Sequence, residues 1–408
     1  MALGVNSVKL QEASAVGTDF PTAASSNDAF SFWKLSEQWR EKLGPIIGPS
    51  QASAEHYLFE LYLDEKQRRP SARLGTYYGI KRLLPASVRH WINWTVIHAR
   101  RHSPFPSWPC ESALLEFWAA WLKGALESIG LDDGWHIGFW PGNARCCIVL
   151  THDVESPQGM ARMERVADVE EQHGYVSSWN LPLAQYAIDW ATVERVRARG
   201  FEIGAHGLAH DGKLFRSEAD FTELTPQLER LAREHSMRGF RSPSTLRRAE
   251  WIARMAFEYD SSFADTEPYE PQPGGTCSLF PFHLGGLIEL PYTLPQDHTL
   301  LHLLHRDPFQ VWWLKAQWIA GAGGMILALS HPDYMGTGEL LRRYGEFLKR
   351  LRDLPQTWHA LPSTVAQWWR RRAQMSLRIE NSQPVILGDD IGGAGAVRLS
   401  SEPLSRAR

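Results

Sequence analysis

Cysteine is scarce in this sequence. Only four of the 408 residues are cysteines, and none of them forms a Cys-x-x-Cys pair. The absence of that spacing argues against a thiolate zinc site, and such sparing cysteine use fits a reducing compartment. Cys146 and Cys147 lie within an apolar run and are predicted to be small buried side chains.

The sequence also lacks the marks of a membrane or secreted protein. It contains no stretch of 18 or more uncharged apolar residues, so we expect no membrane-spanning helix. Its first 28 residues do not combine a basic start with an apolar block, so we expect no secretory signal and a cytoplasmic location. The formal net charge is only −3, which gives no reason to expect nucleic acid as a partner.

Local composition divides the chain into four parts. Residues 1–28 are rich in Ala, Ser, Thr and Gly and are predicted to be a disordered lead. Residues 29–137 carry apolar side chains at helical spacing and should form a mainly helical region. Residues 138–372 should form the main α/β domain, and residues 373–408, basic and then Gly-rich, a flexible tail.

From Cys146 onward, short apolar runs alternate with amphipathic segments. Strand-like runs begin near residues 146, 175, 201, 239, 287 and 324, and helices are predicted over 157–173, 189–199, 217–235, 309–320 and 338–352. This alternation indicates parallel βα units, and hence a barrel or a doubly wound sheet. In either architecture the functional site lies at the carboxyl ends of the strands.

The segment THDVE, residues 151–155, directly follows the first strand-like run. If the strand continues, Asp153 and Glu155 share one face and His152 lies on the other. Two carboxylates at one strand end can divide the work of binding a metal and taking a proton from water. The alternative is a solvated strand end followed by a helix N-cap.

Three further motifs end strand-like runs. His206 and His210 are four residues apart and could chelate one ion, although spaced histidines are also common on surfaces. Arg241 could pair with a carboxylate, or could precede an ordinary turn. His331 could act as a general acid, or could lie in a helix cap. Asp260 could orient a histidine, but capping a turn is the interpretation that we favour.

In this order, the motifs resemble those of the polysaccharide-deacetylase family, also called the NodB-homology family or carbohydrate esterase family four. That family opens with T-F-D-D where this sequence has T-H-D-V-E, and the resemblance covers about residues 138–372. It implies a distorted (β/α)7 barrel, here with an N-terminal mainly helical extension. The family's D-W segment, which supports the acid histidine, has no clear match.

The resemblance also implies a role for each motif. Asp153 would be the catalytic base, Arg241 would steady it, and His331 would be the acid. The implied metal ligands are Glu155, His206 and His210. The function would be metal-dependent removal of N-acetyl groups from an amino sugar in a polysaccharide, an oligosaccharide or a lipid-linked precursor. Zinc is the expected ion, although cobalt or another divalent ion would fit.

The stretch from residue 66 to residue 110 contains many Lys and Arg residues and no Asp or Glu. Interleaved Trp and Leu residues make two interpretations possible. The stretch could be a helix packed on the barrel with its charges in solvent, or it could contact a membrane surface peripherally at the cytoplasmic face. The sequence does not set the oligomeric state.

Three other functions compete with the deacetylase. His152-Asp153 and His210-Asp211 are both HD pairs, as in HD-type phosphohydrolases, but those pairs normally lie on helices of an all-α fold. A deacetylase-like barrel could also have lost its metal and only bind sugar, because Glu155 replaces the usual Asp. A hydrolase of another non-peptide C–N bond, such as a ureide, is the third.

Overall fold

A computed structural model describes residues 27–43, 45–46, 53–68, 105–131 and 133–400. Nearly all of the predicted disordered lead, residues 1–26, lies outside the described residues. Residues 69–104, the larger part of the basic stretch, lie outside them as well. The two interpretations of that stretch therefore stay predictions.

The described part of the N-terminal region is mainly helical. Its helices are α1 Ala29–Trp33, α2 Glu37–Leu43, α3 Glu55–Leu58, α4 Glu65–Arg68 and α5 Ala113–Ser128, and strand β1 Asp133–Ile137 follows them. Helix α5 buries Leu114, Trp118 and Leu122, which are spaced by four residues along one face. The Trp33 indole N–H donates to the Trp118 carbonyl at 3.2 Å, which joins α1 to α5.

Strands and helices then alternate, as the apolar pattern predicts. The strands are β2 Cys146–Asp153, β3 Ser178–Leu181, β4 Glu202–Ala205, β5 Gly239–Phe240, β6 Tyr259–Asp260, β7 Phe282–Leu284, β8 Leu287–Glu289, β9 Met325–Ser330 and β10 Thr357–His359. The helices are α6 Pro157–Met160, α7 Met163–Gln172, α8 Trp190–Ala198, α9 Glu218–Glu234, α10 Ala249–Ile252, α11 Pro308–Ala322, α12 Pro332–Met335, α13 Gly338–Arg352 and α14 Pro362–Gln374. Helix starts follow familiar signals: Asp189, Ser217 and Asp307 each accept a backbone N–H of the first turn.

Seven parallel strands form a barrel. Pairing runs in the order β9, β2, β3, β4, β5, β6, β8. The circle closes just after β8, where the backbone N–H groups of Thr293 and Leu294 donate to the Leu327 carbonyl of β9 at 3.1 and 3.0 Å. Strand β7 pairs antiparallel with β8, and β10 pairs with the start of β2. The predicted distorted (β/α)7 barrel is confirmed.

Strand β2 pairs with β3, β9 and β10, and every one of its eight residues is buried. A strand that is covered on both faces must be apolar on both, and the continuous run from Cys146 to Leu150 meets that demand. Polar residues enter only at its carboxyl end. The strand therefore carries buried polar side chains to one edge of the barrel, where they need partners.

The tail prediction is wrong for residues 376–400, which form strands. Strands β11 Ser376–Glu380 and β12 Gln383–Leu387 make an antiparallel hairpin, and β13 Ala396–Ser400 pairs antiparallel with β1. The glycines that suggested fraying occur in the turn between β12 and β13. No helix among the described residues is long and apolar enough to cross a membrane.

A buried ion pair fastens the N-terminal region to the barrel. Glu60 and the Arg247 guanidinium are both almost fully buried, and Arg247 Nε donates to Glu60 Oε2 at 2.9 Å.

Glu60→Gln should lower the free energy of unfolding by about 3–5 kcal/mol, because it leaves a buried guanidinium without its counter-charge. Denaturant unfolding checks this. Glu339→Gln, which breaks an exposed pair with Arg342, is the control and should change little. Equal effects would contradict the prediction.

Candidate active site

The six predicted site residues converge at the carboxyl ends of four strands. Asp153 ends β2 and Glu155 lies two residues beyond it. His206 directly follows β4, Arg241 follows β5 and His331 follows β9. The remaining residue, His210, lies in the loop after β4. Parallel strands bring their carboxyl ends to one edge, which is why motifs far apart in sequence meet there.

Glu155, His206 and His210 form a group that could hold a metal ion. One ligand atom from each lies within 4.8 Å of the others. His210 Nε2 lies 2.9 Å and His206 Nε2 3.9 Å from Glu155 Oε1. His206 is 1% exposed, and its Nε2 has no hydrogen-bond partner in the part of the chain that the structure describes. A buried ring nitrogen without a partner, next to another imidazole and a carboxylate, fits a divalent cation.

The other nitrogen of His206 fixes its ring. His206 Nδ1 lies 3.0 Å from the Arg241 carbonyl oxygen, so Nδ1 carries the proton and Nε2 is the acceptor. Gly207 adopts a φ of +72°, and a Cβ there would lie 2.9 Å from Pro243. This glycine lets the chain turn directly after the first ligand and return with His210.

Gln185 holds the other two candidate ligands, although nothing in the sequence marked it. Its Nε2 donates to the Glu155 carbonyl at 2.6 Å, and its Oε1 accepts the His210 backbone N–H at 2.5 Å. One side chain thus links the loop after β2 to the loop after β4. The Asp333 carboxylate also accepts the Glu155 N–H, at 3.2 Å.

Asp153 is buried beside this group. Asn180 Nδ2 donates to its Oδ1 at 2.8 Å, and Arg241 Nη1 lies 3.3 Å from the same oxygen. Its other oxygen, Oδ2, lies 3.9 Å from His206 Nε2. Burial opposes ionisation, but electrostatic interactions with His206, Arg241 and His331 and the hydrogen bond from Asn180 outweigh it and lower the pKa of Asp153. Asp153 is therefore ionised near neutral pH, with one oxygen facing the candidate ligands.

Arg241 is fully buried and rigidly held. Its Nε donates to the Ser261 carbonyl at 2.7 Å, Nη2 to the Ser261 hydroxyl at 2.6 Å, and Nη1 to the Thr151 hydroxyl at 2.7 Å. The planar guanidinium thus presents one fixed edge to Asp153. Arg241 fits the predicted steadying position.

His331 forms a buried pair with Asp297. His331 Nδ1 lies 2.6 Å from Asp297 Oδ1, and its backbone N–H donates to Oδ2 at 2.8 Å. Burial opposes protonation, but the charges of Asp297 and Glu155 outweigh it and raise the pKa of His331 well above its usual range. The sequence motifs did not identify Asp297. It is a single acidic residue in the loop after β8, and it belongs to no recognisable pattern. Asp297 holds the His331 ring through these two contacts.

Glu155 lies between the candidate ligand histidines and His331 and interacts electrostatically with all three imidazoles. Its Oε1 lies 3.6 Å from His331 Nε2 as well as close to both candidate ligand histidines. Burial opposes ionisation of Glu155, but His210, His206 and His331 lower its pKa well below the usual range. The same carboxylate raises the pKa of His210 against the effect of burial.

His152 points away from the site, as strand alternation predicts. Its Nδ1 lies 2.8 Å from the Ser330 hydroxyl and its Nε2 2.8 Å from Glu170 Oε1. Tyr344 also donates to Glu170. The ring therefore belongs to a buried polar network behind β2. An HD-type centre would need His152 beside Asp153 on a helix, so this geometry contradicts that rival.

Asp260 does not orient a histidine. Its carboxylate accepts the backbone N–H and the hydroxyl of Ser262, at 3.1 and 2.7 Å, which agrees with the favoured turn interpretation. It also faces the buried Glu289. Burial and this pairing raise the pKa of Glu289 well above its usual range, so the two carboxyl groups share a proton.

Comparisons with known proteins give structural likenesses only. No family model matches the chain, and no curated protein does. Among solved structures, a protein assigned as a polysaccharide deacetylase from Mycobacterium smegmatis is 18% identical, with a TM-score of 0.46, over 57% of this chain and 92% of that one. Puue allantoinase is 14% identical, with the same TM-score and the same coverage of both chains. The chitin deacetylase of Colletotrichum lindemuthianum is 17% identical, with a TM-score of 0.33, over 55% and 87%.

Because the identities are below 20% and the TM-scores are below 0.5, any assignment of function has to rest on the geometry of the site.

Proposed function

We propose that this chain is a metal-dependent hydrolase that removes the N-acetyl group from an amino sugar. The observation that carries the proposal is the buried His206 Nε2, which has no hydrogen-bond partner among the described residues and lies next to Glu155 and His210. On either side of that group lie a fixed carboxylate, Asp153, and a histidine whose pKa is raised, His331. Amide hydrolysis needs those elements together: a base for water and an acid for the departing amine.

The metal would be held by Glu155, His206 and His210. Two imidazoles and one carboxylate favour zinc, though cobalt or another divalent ion would fit the same donors. When bound, a divalent cation polarises an acyl oxygen and makes water more acidic. The protein's part is to present the donors in fixed positions, and Gln185 and the Arg241 carbonyl serve that purpose.

Asp153 would remove the proton from the attacking water. Its low pKa keeps it ionised, and Arg241 and Asn180 hold one oxygen, which leaves the other free to accept the proton. The water oxygen bonds to the acetyl carbonyl carbon. The Arg241 side chain contacts Asp153, Thr151 and Ser261, so we assign it a positioning role.

His331 would donate a proton to the sugar nitrogen that leaves. Its Nδ1 is held by Asp297, so Nε2 is the nitrogen that can deliver a proton. As the C–N bond breaks, that proton goes to the sugar nitrogen, and the products are acetate and a free amine. A proton is needed because an amide nitrogen leaves poorly as an anion.

The substrate class that we propose is an N-acetylated carbohydrate, as polymer, oligosaccharide or lipid-linked precursor, handled in the cytoplasm. Hydrolysis of another C–N bond and metal-free sugar binding are the alternatives. Acetate release from a panel of N-acetylated sugars, measured together with metal content, distinguishes all three. Acetate release with bound metal supports the deacetylase, whereas sugar binding with neither metal nor acetate release contradicts it.

The purified protein should carry about one divalent ion per chain. Changing both His206 and His210 to Ala should abolish binding, because it removes two of the three donors. Elemental analysis of dialysed protein is the measurement, and His56→Ala, an exposed histidine away from the site, is the control. Full occupancy in the double variant would show that the ion binds elsewhere.

A further inference from the structure

A cavity of about 220 Å³ lies outside the catalytic site. It is enclosed by α1 and α2, by β7 and by the end of α14, and none of the six site residues lines it. Its walls combine aromatic rings with three cationic side chains, Lys34, Arg40 and Arg372. The proposed deacetylation has no use for this cavity.

Arg372 is a buried cation without a carboxylate partner. It is 2% exposed, and its Nε and Nη2 donate to the carbonyls of Gly138, Phe32 and Ile137 at 2.8–3.0 Å. Within the described residues, no Asp or Glu forms an ion pair with it, and Nη1 makes no hydrogen bond. Burial lowers the pKa of Arg372 to about 9. Burying a guanidinium without a carboxylate is costly even when carbonyls and aromatic rings surround it, and an anion bound nearby would offset part of that cost.

Lys34 and Arg40 add positive charge to the same cavity. Burial, Arg372 and Arg40 together lower the pKa of Lys34 to about 8, although Asp28 opposes them. The Asp28 carboxylate is engaged as the N-cap of α1, where it accepts the Ser31 N–H at 2.7 Å. Burial, Arg370 and Lys34 also lower the pKa of His283, which lines the cavity, to about 4. The potential inside the cavity is therefore positive.

The aromatic walls limit what can fill it. Phe32, Trp118, Phe280 and Trp369 line the cavity, and the Arg372 guanidinium lies 5.2 Å from the Trp369 ring centroid. Such rings exclude bulk water and strengthen the attraction between the cations and an anion. The volume is smaller than that of a pocket for a drug-sized ligand, so the occupant must be small.

We propose that this cavity binds a small phosphate oxyanion, either free phosphate or the phosphate group of a small metabolite. Guanidinium and ammonium groups together match an oxyanion with several acceptor oxygens. Arg372 supplies a buried guanidinium in the cavity wall, and the exposed Arg40 supplies a second one nearer to solvent. Lys34 Nζ donates to the Ala373 carbonyl at 2.6 Å and keeps two further N–H donors. An occupant would also brace α1 and α2 against the barrel and raise the thermal midpoint.

Titration calorimetry with inorganic phosphate at constant ionic strength, set with chloride, tests this proposal on the full chain. Saturable binding is expected, with a rise in the melting temperature. A double variant, Lys34→Gln with Arg40→Gln, should bind at least about tenfold more weakly. Lys42→Gln, an exposed lysine of α2 that does not line the cavity, is the matched control and should bind as wild type does.

A parallel titration with glycerol phosphate distinguishes the two sources. Tighter binding of glycerol phosphate would identify a phosphate monoester as the occupant, and tighter binding of inorganic phosphate would identify the free ion. Arg372→Met would remove the interior donor, but it also frees three buried carbonyls, so the Lys34 and Arg40 variants are the decisive ones. No saturable binding, or equal binding by the double variant, would overturn the proposal, and neither outcome bears on deacetylation.

Discussion

Asp153→Asn should reduce acetate release by roughly 10²–10⁴-fold while the divalent ion stays bound. The substitution keeps the shape of the side chain and removes its ability to accept a proton. Arg241 and Asn180 hold Oδ1 of the present carboxylate, so an amide oxygen can take the same place. Single-turnover rates and metal content, measured on the same preparation, check both halves of the expectation.

Glu155→Gln is the matched variant, since it makes the same chemical change two residues away. It should lower metal content, because Glu155 lies 2.9 Å from His210 Nε2 and belongs to the candidate donor group. If Asp153→Asn instead removed the metal and Glu155→Gln did not, the two carboxylates would have exchanged roles. Loss of metal in both variants would mean that both are ligands.

The second large effect concerns His331. His331→Ala should slow hydrolysis of an N-acetyl sugar by roughly 10²–10⁴-fold, but it should slow an activated acetyl ester far less. A good leaving group departs without a proton, so only the amide depends on the acid. The two substrates can be compared in one variant preparation. Equal losses on both would assign His331 to substrate binding or to structure.

The pH profile gives an independent test of the same residue. Wild-type activity should be bell-shaped, with the acid limb below the usual carboxyl range and the alkaline limb above the usual histidine range. These limbs follow from the lowered pKa of Asp153 and the raised pKa of His331. Asp297→Asn removes the charge that raises the pKa of His331, so the alkaline limb should move to lower pH. A profile unchanged in that variant would contradict the acid role.

The barrel could be predicted from the sequence because its signals are local. The apolar run at Cys146 and the caps at Asp189, Ser217 and Asp307 are properties of neighbouring residues. The metal and acid–base candidates could also be predicted, because each lies at or shortly after the carboxyl end of a strand, and those ends had to face one another.

The supporting residues could not be predicted in the same way. Asp297 and Gln185 lie in loops without periodicity and contact their partners across 34 and 25 to 30 positions. Asn180 lies on β3, but its contact with Asp153 spans 27 positions and no local pattern indicates it. Composition also misled the interpretation of the tail. A glycine-rich, polar segment resembles a disordered one when its pairing partner is distant in sequence. Strand β13 pairs with β1, which precedes the whole barrel in the sequence.

The pairing of β1 with β13 has a consequence for synthesis of the protein. β1 emerges from the ribosome before the whole barrel, and β13 emerges after it, so β1 waits for its partner while more than 250 residues are made. During that interval its backbone donors and acceptors are an unprotected edge that can pair with other chains. We therefore expect that chains halted before Ala396 aggregate more readily than the full chain, even though every barrel strand is present.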